Sequence, residues 1–356
     1  MRQRPGTIML AFVDGGRLFV CGLGWFGPPD PPIEGCNVTS PAYHIYEIVK
    51  QYDAIIRGTN PTYLPNGYFQ GGGFIDYSRA GFPEAFANHL IEVIDWSIFD
   101  GIFVDELCDS TLWAENGDTI NYAYSGFASL AAFDAAYRAG VIQFLQRLRD
   151  GMGPNRYLCG NGCQLTPSFV NGWMRENFPQ QNGGTWLSNM FGWLAVPADD
   201  GYMGNSKYKQ APQLCWLQGI PFGGTGAIKD ADNIYWSRML LGAATLANGV
   251  GLVTHSSNDQ SRGRFFWVDE FSVGPTGIPE PTGAYRGWLG QPIEDAYDLG
   301  AGMYKREFEH GMVLVNPTAS QKTFALSAPF VYIGGASANP TAVIPAGDVR
   351  FLRRIE

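Results

Sequence analysis

The stretch Asp100-Gly101-Ile102-Phe103-Val104-Asp105-Glu106 decides how this chain folds. A glycine leads into three apolar residues, and two adjacent carboxylates end the run. A short apolar segment of this kind, placed after a helical pattern, predicts a buried parallel strand. Such strands carry chemistry at their C-terminal ends, where backbone pairing stops and loops begin. Side chains alternate along a strand, so Phe103 and Asp105 point one way and Glu106 the other. Asp105 is the acid expected to face the crevice. The competing reading is a helix cap, but Asp109 and Ser110 stand close enough to do that work. Two carboxylates at the end of an apolar strand are costly unless paired or used.

The chain around this strand alternates. Before it, Phe82 to Trp96 predicts a helix with Phe86, His89, Leu90 and Val93 on one face. Further upstream, strands are expected at residues 7–13, 54–57 and 71–77, the last with Asp76 at its tip, and a helix at 41–51. A Gly- and Pro-rich loop fills 17–41. Downstream, a helix is expected at 127–149, strands at 157–159, 169–176, 214–217 and 250–253, and a helix at 231–247. Eight strands alternating with helices predict an α/β fold, a (β/α)8 TIM barrel. From about residue 264 the texture changes to short strand candidates at 303–308, 312–315, 323–326, 331–333 and 349–352. A short helix is expected near 292–298. These predict a small C-terminal β-sandwich, giving domains of 1–263 and 264–356 with the boundary between 264 and 300.

Composition narrows the ligand. With 24 basic and 33 acidic residues the net charge is −9, and no basic block interrupts it, so nucleic acid is not an expected partner. Charged residues make up only 16%, while glycine, tyrosine, phenylalanine and tryptophan abound. Aromatic faces beside neutral hydrogen-bonding groups suit sugars, whose rings have apolar C–H faces and hydroxyl rims. A large loop-rich core would share this composition. The apolar run Ile8 to Val13 is too short for a secretory h-region or a membrane span, and localisation, secreted or cytoplasmic, stays open. The six cysteines are too few for a disulfide scaffold and are expected as reduced core thiols, although Cys21 and Cys36 could bridge in an exported protein.

Placed on a barrel, the acids converge. Asp105 ends the fourth strand and Glu176 the sixth, on the C-terminal face with one strand between them. Glycosidic cleavage needs such a pair: one carboxylate attacks or stabilises the oxocarbenium-like centre, and the other protonates the leaving oxygen. Asp76, Glu106 and Asn161 stand at neighbouring tips and are expected to bind hydroxyls. Trp113 and Trp216 are expected as sugar platforms, and His255, just after the eighth strand, as a further site residue. No His-Glu-x-x-His, His-x-His or Gly-x-Ser-x-Gly occurs, and Phe222-Gly223-Gly224-Thr225-Gly226 lacks dinucleotide spacing. No metal or cofactor is expected.

Three segments carry a resemblance. Asp100 to Asp105 after a helix that follows Asp76-Tyr77-Ser78, Asn171-Gly172-Trp173-Met174-Arg175-Glu176, and Arg306-Glu307-Phe308-Glu309-His310-Gly311 running into Val313 to Thr318 resemble the glycoside-hydrolase-like TIM-barrel family. The resemblance covers roughly residues 50–356. More distantly the chain is similar to the α-galactosidase-like clan, whose retaining members place a nucleophile on strand 4 and an acid/base on strand 6. The resemblance implies Asp105 as nucleophile, Glu176 as acid/base and a carbohydrate substrate. A carbohydrate-binding barrel without turnover is the alternative.

Overall fold

A computed structural model describes residues 8–15, 17–19, 41–59, 72–108, 110–111, 120–161, 168–175, 210–219, 231–247, 249–253, 268–300 and 302–355. The chain divides into two compact units, Met1–Trp173 and Met174–Glu356.

The first unit contains β1 (Leu10–Asp14), β2 (Arg17–Phe19), α1 (Pro41–Gln51), β3 (Gly72–Phe74), α2 (Phe82–Val93), β4 (Gly101–Asp105), α3 (Leu130–Met152) and β5 (Tyr157–Asn161). Strand β4 lies between β1 and β5 and is parallel to both. Its starting glycine is a steric requirement, because a Cβ on Gly101 would stand 2.1 Å from the Tyr157 carbonyl oxygen. Ile102 and Val104 point into the core beneath the helices, whereas Phe103 leaves that core and stacks on Phe12 with ring centroids 5.9 Å apart.

Helix α2 starts after Gly81, whose φ of 79° suits glycine, and has proline in its first turn. It stops at Val93, short of Trp96, because Ile94 turns extended and Asp95 accepts the Ser97 N–H in a turn of its own. Its buried stripe is Phe82, Phe86, Ala87 and Leu90; Val93 is 46% exposed, so the expected face is rotated by about one residue. Phe82 and Phe86 meet Tyr77, Tyr137 and Phe144 in an aromatic cluster, with Phe86 and Phe144 stacked at 5.0 Å. Each such ring, fully buried, contributes roughly 1.5–3 kcal/mol by transfer from water. Helix α3 starts where Ser129 Oγ accepts the Ala132 N–H at 3.2 Å and ends at Gly153, in the left-handed range of φ.

Residues expected as the second and third barrel strands, neighbours in parallel, meet antiparallel instead. Ile55 and Ile75 form an antiparallel bridge, with Ile56 N–H donating to the Phe74 carbonyl and Asp76 N–H to that of Ala54. β3 pairs antiparallel with β2, so β1 lies directly beside β4.

The second unit contains the second half of β6 (Gly172–Arg175), then β7 (Cys215–Gly219), α4 (Ala231–Leu246), β8 (Gly249–Val253), β9 (Tyr297–Asp298), β10 (Tyr304–Phe308), β11 (Gly311–Asn316), β12 (Lys322–Ala325), β13 (Phe330–Tyr332), β14 (Thr341–Ile344) and β15 (Asp348–Arg354). The parallel strands follow the hydrogen-bonded order β1-β4-β5 in the first unit and β6-β7-β8 in the second. The later strands form a five-stranded sheet, β13-β15-β11-β10-β9, and a β12-β14 pair. All six residues of β11 are buried, and the pleat explains why. Val313 and Val315 join Met239, Leu240 and Ala243 of α4, while Met312 and Leu314 join Phe330, Ala342 and Ile344 on the opposite face. The helix expected near 292–298 is absent: Gly290 and Gly300 have positive φ, Pro292 bridges to Phe308, and Tyr297–Asp298 is a strand. The fold is thus α/β with a parallel sheet and an antiparallel β region.

Candidate functional site

The C-terminal ends of β1, β4 and β5 bring three polar side chains into one row. Asp14 and Asp105 are register partners, and Val104 pairs with Gly160, which places Asn161 next to Asp105. Alternation from Phe12 and Phe103 puts Asp14 and Asp105 on the sheet face away from the helices.

Asp105 is half-buried, and two donors hold its Oδ1: the side-chain amide of Asn161 at 2.9 Å and the backbone N–H of Glu106 at 2.9 Å. The second bond comes from a strained residue, since Glu106 has φ 56°, in the left-handed region that non-glycine residues rarely adopt. Strain of this kind costs of order 1–3 kcal/mol and persists where the surroundings demand it. Asn161 is 6% exposed, and its carbonyl accepts the Leu107 N–H at 3.0 Å, so β5 also fixes the chain leaving Asp105.

On the other side, Gly15 N–H donates to the Asp105 carbonyl at 2.9 Å, and a Cβ on Gly15 would stand 2.3 Å from Val104 Cγ1. The buried Tyr77 hydroxyl donates to the Gly15 carbonyl at 2.6 Å. Burial, then the neighbouring Tyr137 and Asp14, raises the Tyr77 pKa well above the ordinary phenol value. Tyr77 therefore stays a donor.

Of the expected site residues, Asp105, Glu106 and Asn161 come together. Asp76 belongs to a different network. It is fully buried; Ser78 donates twice to Oδ1, Ser125 donates to Oδ2 at 2.8 Å, and Arg79 Nε lies 3.2 Å from Oδ2. Burial raises its pKa, opposed by the two serines and Arg79. Arg79 also reaches Asp53, and the Arg57 and Arg79 guanidinium groups cover the Tyr124 ring. In this arrangement Asp76 ties the 76–79 turn to the 121–126 segment, and its buried oxygens are occupied by protein partners. Trp216, in the second unit, is half-buried and lies on the β7 face opposite Cys215 and Leu217, which pack beneath α4. Glu176, Trp113 and His255 lie outside the described residues.

Asp14 was not among the expected site residues. Its signal is the same as that of Asp105, an apolar run ending in aspartate, but Gly15 and Gly16 after it read as a turn. Cys108 is disulfide-bonded, which corrects the expectation of reduced core thiols there, whereas Cys159 and Cys215 are buried and not disulfide-bonded. Among the described residues no group of three or more His, Cys, Asp or Glu side chains could hold a metal ion, and no helix is long and apolar enough to cross a membrane.

Comparison with solved structures finds distant similarity to the type III pullulan hydrolase from Thermococcus kodakarensis, at TM-score 0.41 and 12% identity, over 90% of this chain and 58% of that one. The chain thus spans less than two thirds of that hydrolase. It is also similar to a maltogenic α-amylase from Thermotoga neapolitana (TM-score 0.44, 9% identity, 87% of this chain and 74% of that one). A GH27 β-L-arabinopyranosidase from Geobacillus stearothermophilus gives TM-score 0.45 at 10% identity, over 87% and 71% of the two chains. No curated protein matches. Residues 74–312, more than half of the sequence, match the model of hypothetical glycosyl hydrolase family 15, and the chain belongs to that family.

Proposed function

We propose that the protein is a glycoside hydrolase that cleaves an oligo- or polysaccharide by a two-carboxylate, retaining mechanism. The observation that carries this reading is the Asp105 carboxylate, held through one oxygen by Asn161 and Glu106 at the end of a buried parallel strand. Membership of a glycosyl hydrolase family supports the substrate class. In the proposed reaction Asp105 attacks the anomeric carbon while the acid/base gives its proton to the departing glycosidic oxygen. Water, deprotonated by that same residue, then displaces Asp105 from the glycosyl-enzyme and restores the carboxylate. Glu176 is the proposed acid/base, with Glu106, Trp113, Trp216 and His255 around the sugar and Asn161 holding Asp105. Asp14 is a second candidate for the acid/base, because it is the register partner of Asp105.

The catalytic part is assigned to a TIM barrel over residues 1–263 and the accessory part to a β-sandwich over 264–356. Reducing-end release across a broad glycan panel, with the anomer of the first product followed by NMR, tests the function. Release with net retention supports the proposal. Glycan binding without release would instead favour a carbohydrate-binding barrel, and net inversion would remove the nucleophile role.

A further inference from the structure

A cavity of about 560 Å³ in the second unit is lined by α4, the Asp269–Phe271 turn and strands β13 to β15. Two arginines line it, each anchored on one side. Arg238 Nε donates to Glu270 Oε1 at 2.5 Å, and Glu270 is 7% exposed and fixed further by Trp288 Nε1, which donates to its carbonyl. Arg350 uses one Nη to reach Asp348 Oδ2 at 2.5 Å and the Val349 carbonyl at 3.1 Å. Among the described residues the terminal nitrogens of Arg238 and the other Nη of Arg350 have no protein partner. Guanidinium forks oriented in this way donate in fixed directions.

The cavity also holds an acceptor and an apolar wall. Asp269 is exposed and is not paired among the described residues. Tyr332, Ile333 and Val343 supply apolar surface, and the Tyr332 hydroxyl is tied down by the Val343 N–H at 2.6 Å. Charge selects the ligand. Two arginines meet the three carboxylates of Asp269, Glu270 and Asp348, so the site offers an anion no net positive charge. Anchored donors, acceptors on Asp269 and at Glu270 Oε2, and an apolar wall match a ligand with vicinal hydroxyls and C–H faces.

We infer that this cavity is a binding site for a neutral saccharide, separate from the Asp105 row. The inference takes its ligand class from the glycoside hydrolase reading and names a site that reading does not use.

The test is calorimetric titration of the full chain carrying Asp105→Asn with maltoheptaose, cellohexaose, xylohexaose and, as an anionic comparison, a galacturonate oligomer. At least one neutral oligomer is expected to bind. Adding Arg350→Gln or Asp269→Asn should weaken that binding by about tenfold or more, roughly 1.4 kcal/mol. Asp269 is exposed, so its variant reads the site even if Arg350→Gln does not fold. Binding of no neutral oligomer, equal affinity in the Asp269→Asn variant, or a preference for the galacturonate oligomer would overturn the inference. Hydrolysis is measured separately on the parent chain, so a protein that binds through this cavity and cleaves nothing would overturn the enzyme reading alone.

Discussion

The side-chain amide of Asn161 donates a 2.9 Å hydrogen bond to Oδ1 of Asp105, linking the ends of two neighbouring parallel strands. The same oxygen accepts the Glu106 N–H from a residue in the left-handed region. In the proposed reaction these two donors aim the attacking carboxylate, and misplacement of about 1 Å can cost about 10²-fold in rate.

On that proposal Asn161 is a positioning residue. Asn161→Ala should lower kcat by about 10–100-fold and leave KM nearly unchanged, because it disturbs the reacting carboxylate rather than sugar contacts. Steady-state kinetics on one cleaved glycan check this. A matching rise in KM at constant kcat would mean that Asn161 binds substrate instead.

Asp14→Asn and Glu176→Gln separate the two acid/base candidates. Removing the acid should lower kcat/KM for a natural glycan by about 10²–10⁴-fold, but should spare kcat/KM for an aryl glycoside, whose leaving group needs no proton in the first step. Glu176→Gln is predicted to show this split and Asp14→Asn to lower both rates together. The reverse pattern would move the role to Asp14.

Glu280 gives a pH-dependent contribution to stability. Hydrogen bonds from the Thr282 side chain and from the Ala284 and Thr282 backbone N–H groups lower its pKa to about 2, from 4.5. A depressed carboxylate pKa stabilises the fold above the unfolded value, and the effect is lost as pH falls through the folded one. Glu280→Gln should thus lower Tm at pH 6, and the gap to the wild type should close steadily below about pH 4.5. A gap that is constant from pH 6 to pH 3 would show that the carboxylate charge is not responsible.

The C-terminal sheet shares a core with α4, in which Met239, Leu240 and Ala243 meet Val313, Val315, Val349 and Phe351. A chain ending at residue 264 would expose that helix face, and such apolar patches drive aggregation. Truncation there should give insoluble protein in a sedimentation assay. A soluble, fully active 1–264 fragment would contradict this.

Strand β4, the four α-helices of the described residues and most C-terminal strands were legible in the sequence, because glycine, proline and apolar spacing mark them locally. The antiparallel pairing of Ile55 with Ile75 was not, since a short apolar run does not reveal its partner. Strand Thr341–Ile344 was missed for a similar reason: alternating burial over only four residues is too brief a signal. At the site, Asp105 and Asn161 stood out as polar residues ending apolar strands. Asp76 stood out in the same way, but its occupation by Ser78, Ser125 and Arg79 was not legible, because a buried paired carboxylate and a sugar-binding one have the same sequence signature.

The most direct test of the account is the rate of glycan hydrolysis by Asp105→Asn relative to the wild type, with circular dichroism confirming an unchanged fold. Asparagine keeps the shape of the side chain but removes the nucleophile and places an amide where two donors now converge. A fall of at least about 10³-fold in kcat/KM is predicted. Hydrolysis at near wild-type rate by the folded variant would contradict the assignment of Asp105 as the catalytic carboxylate.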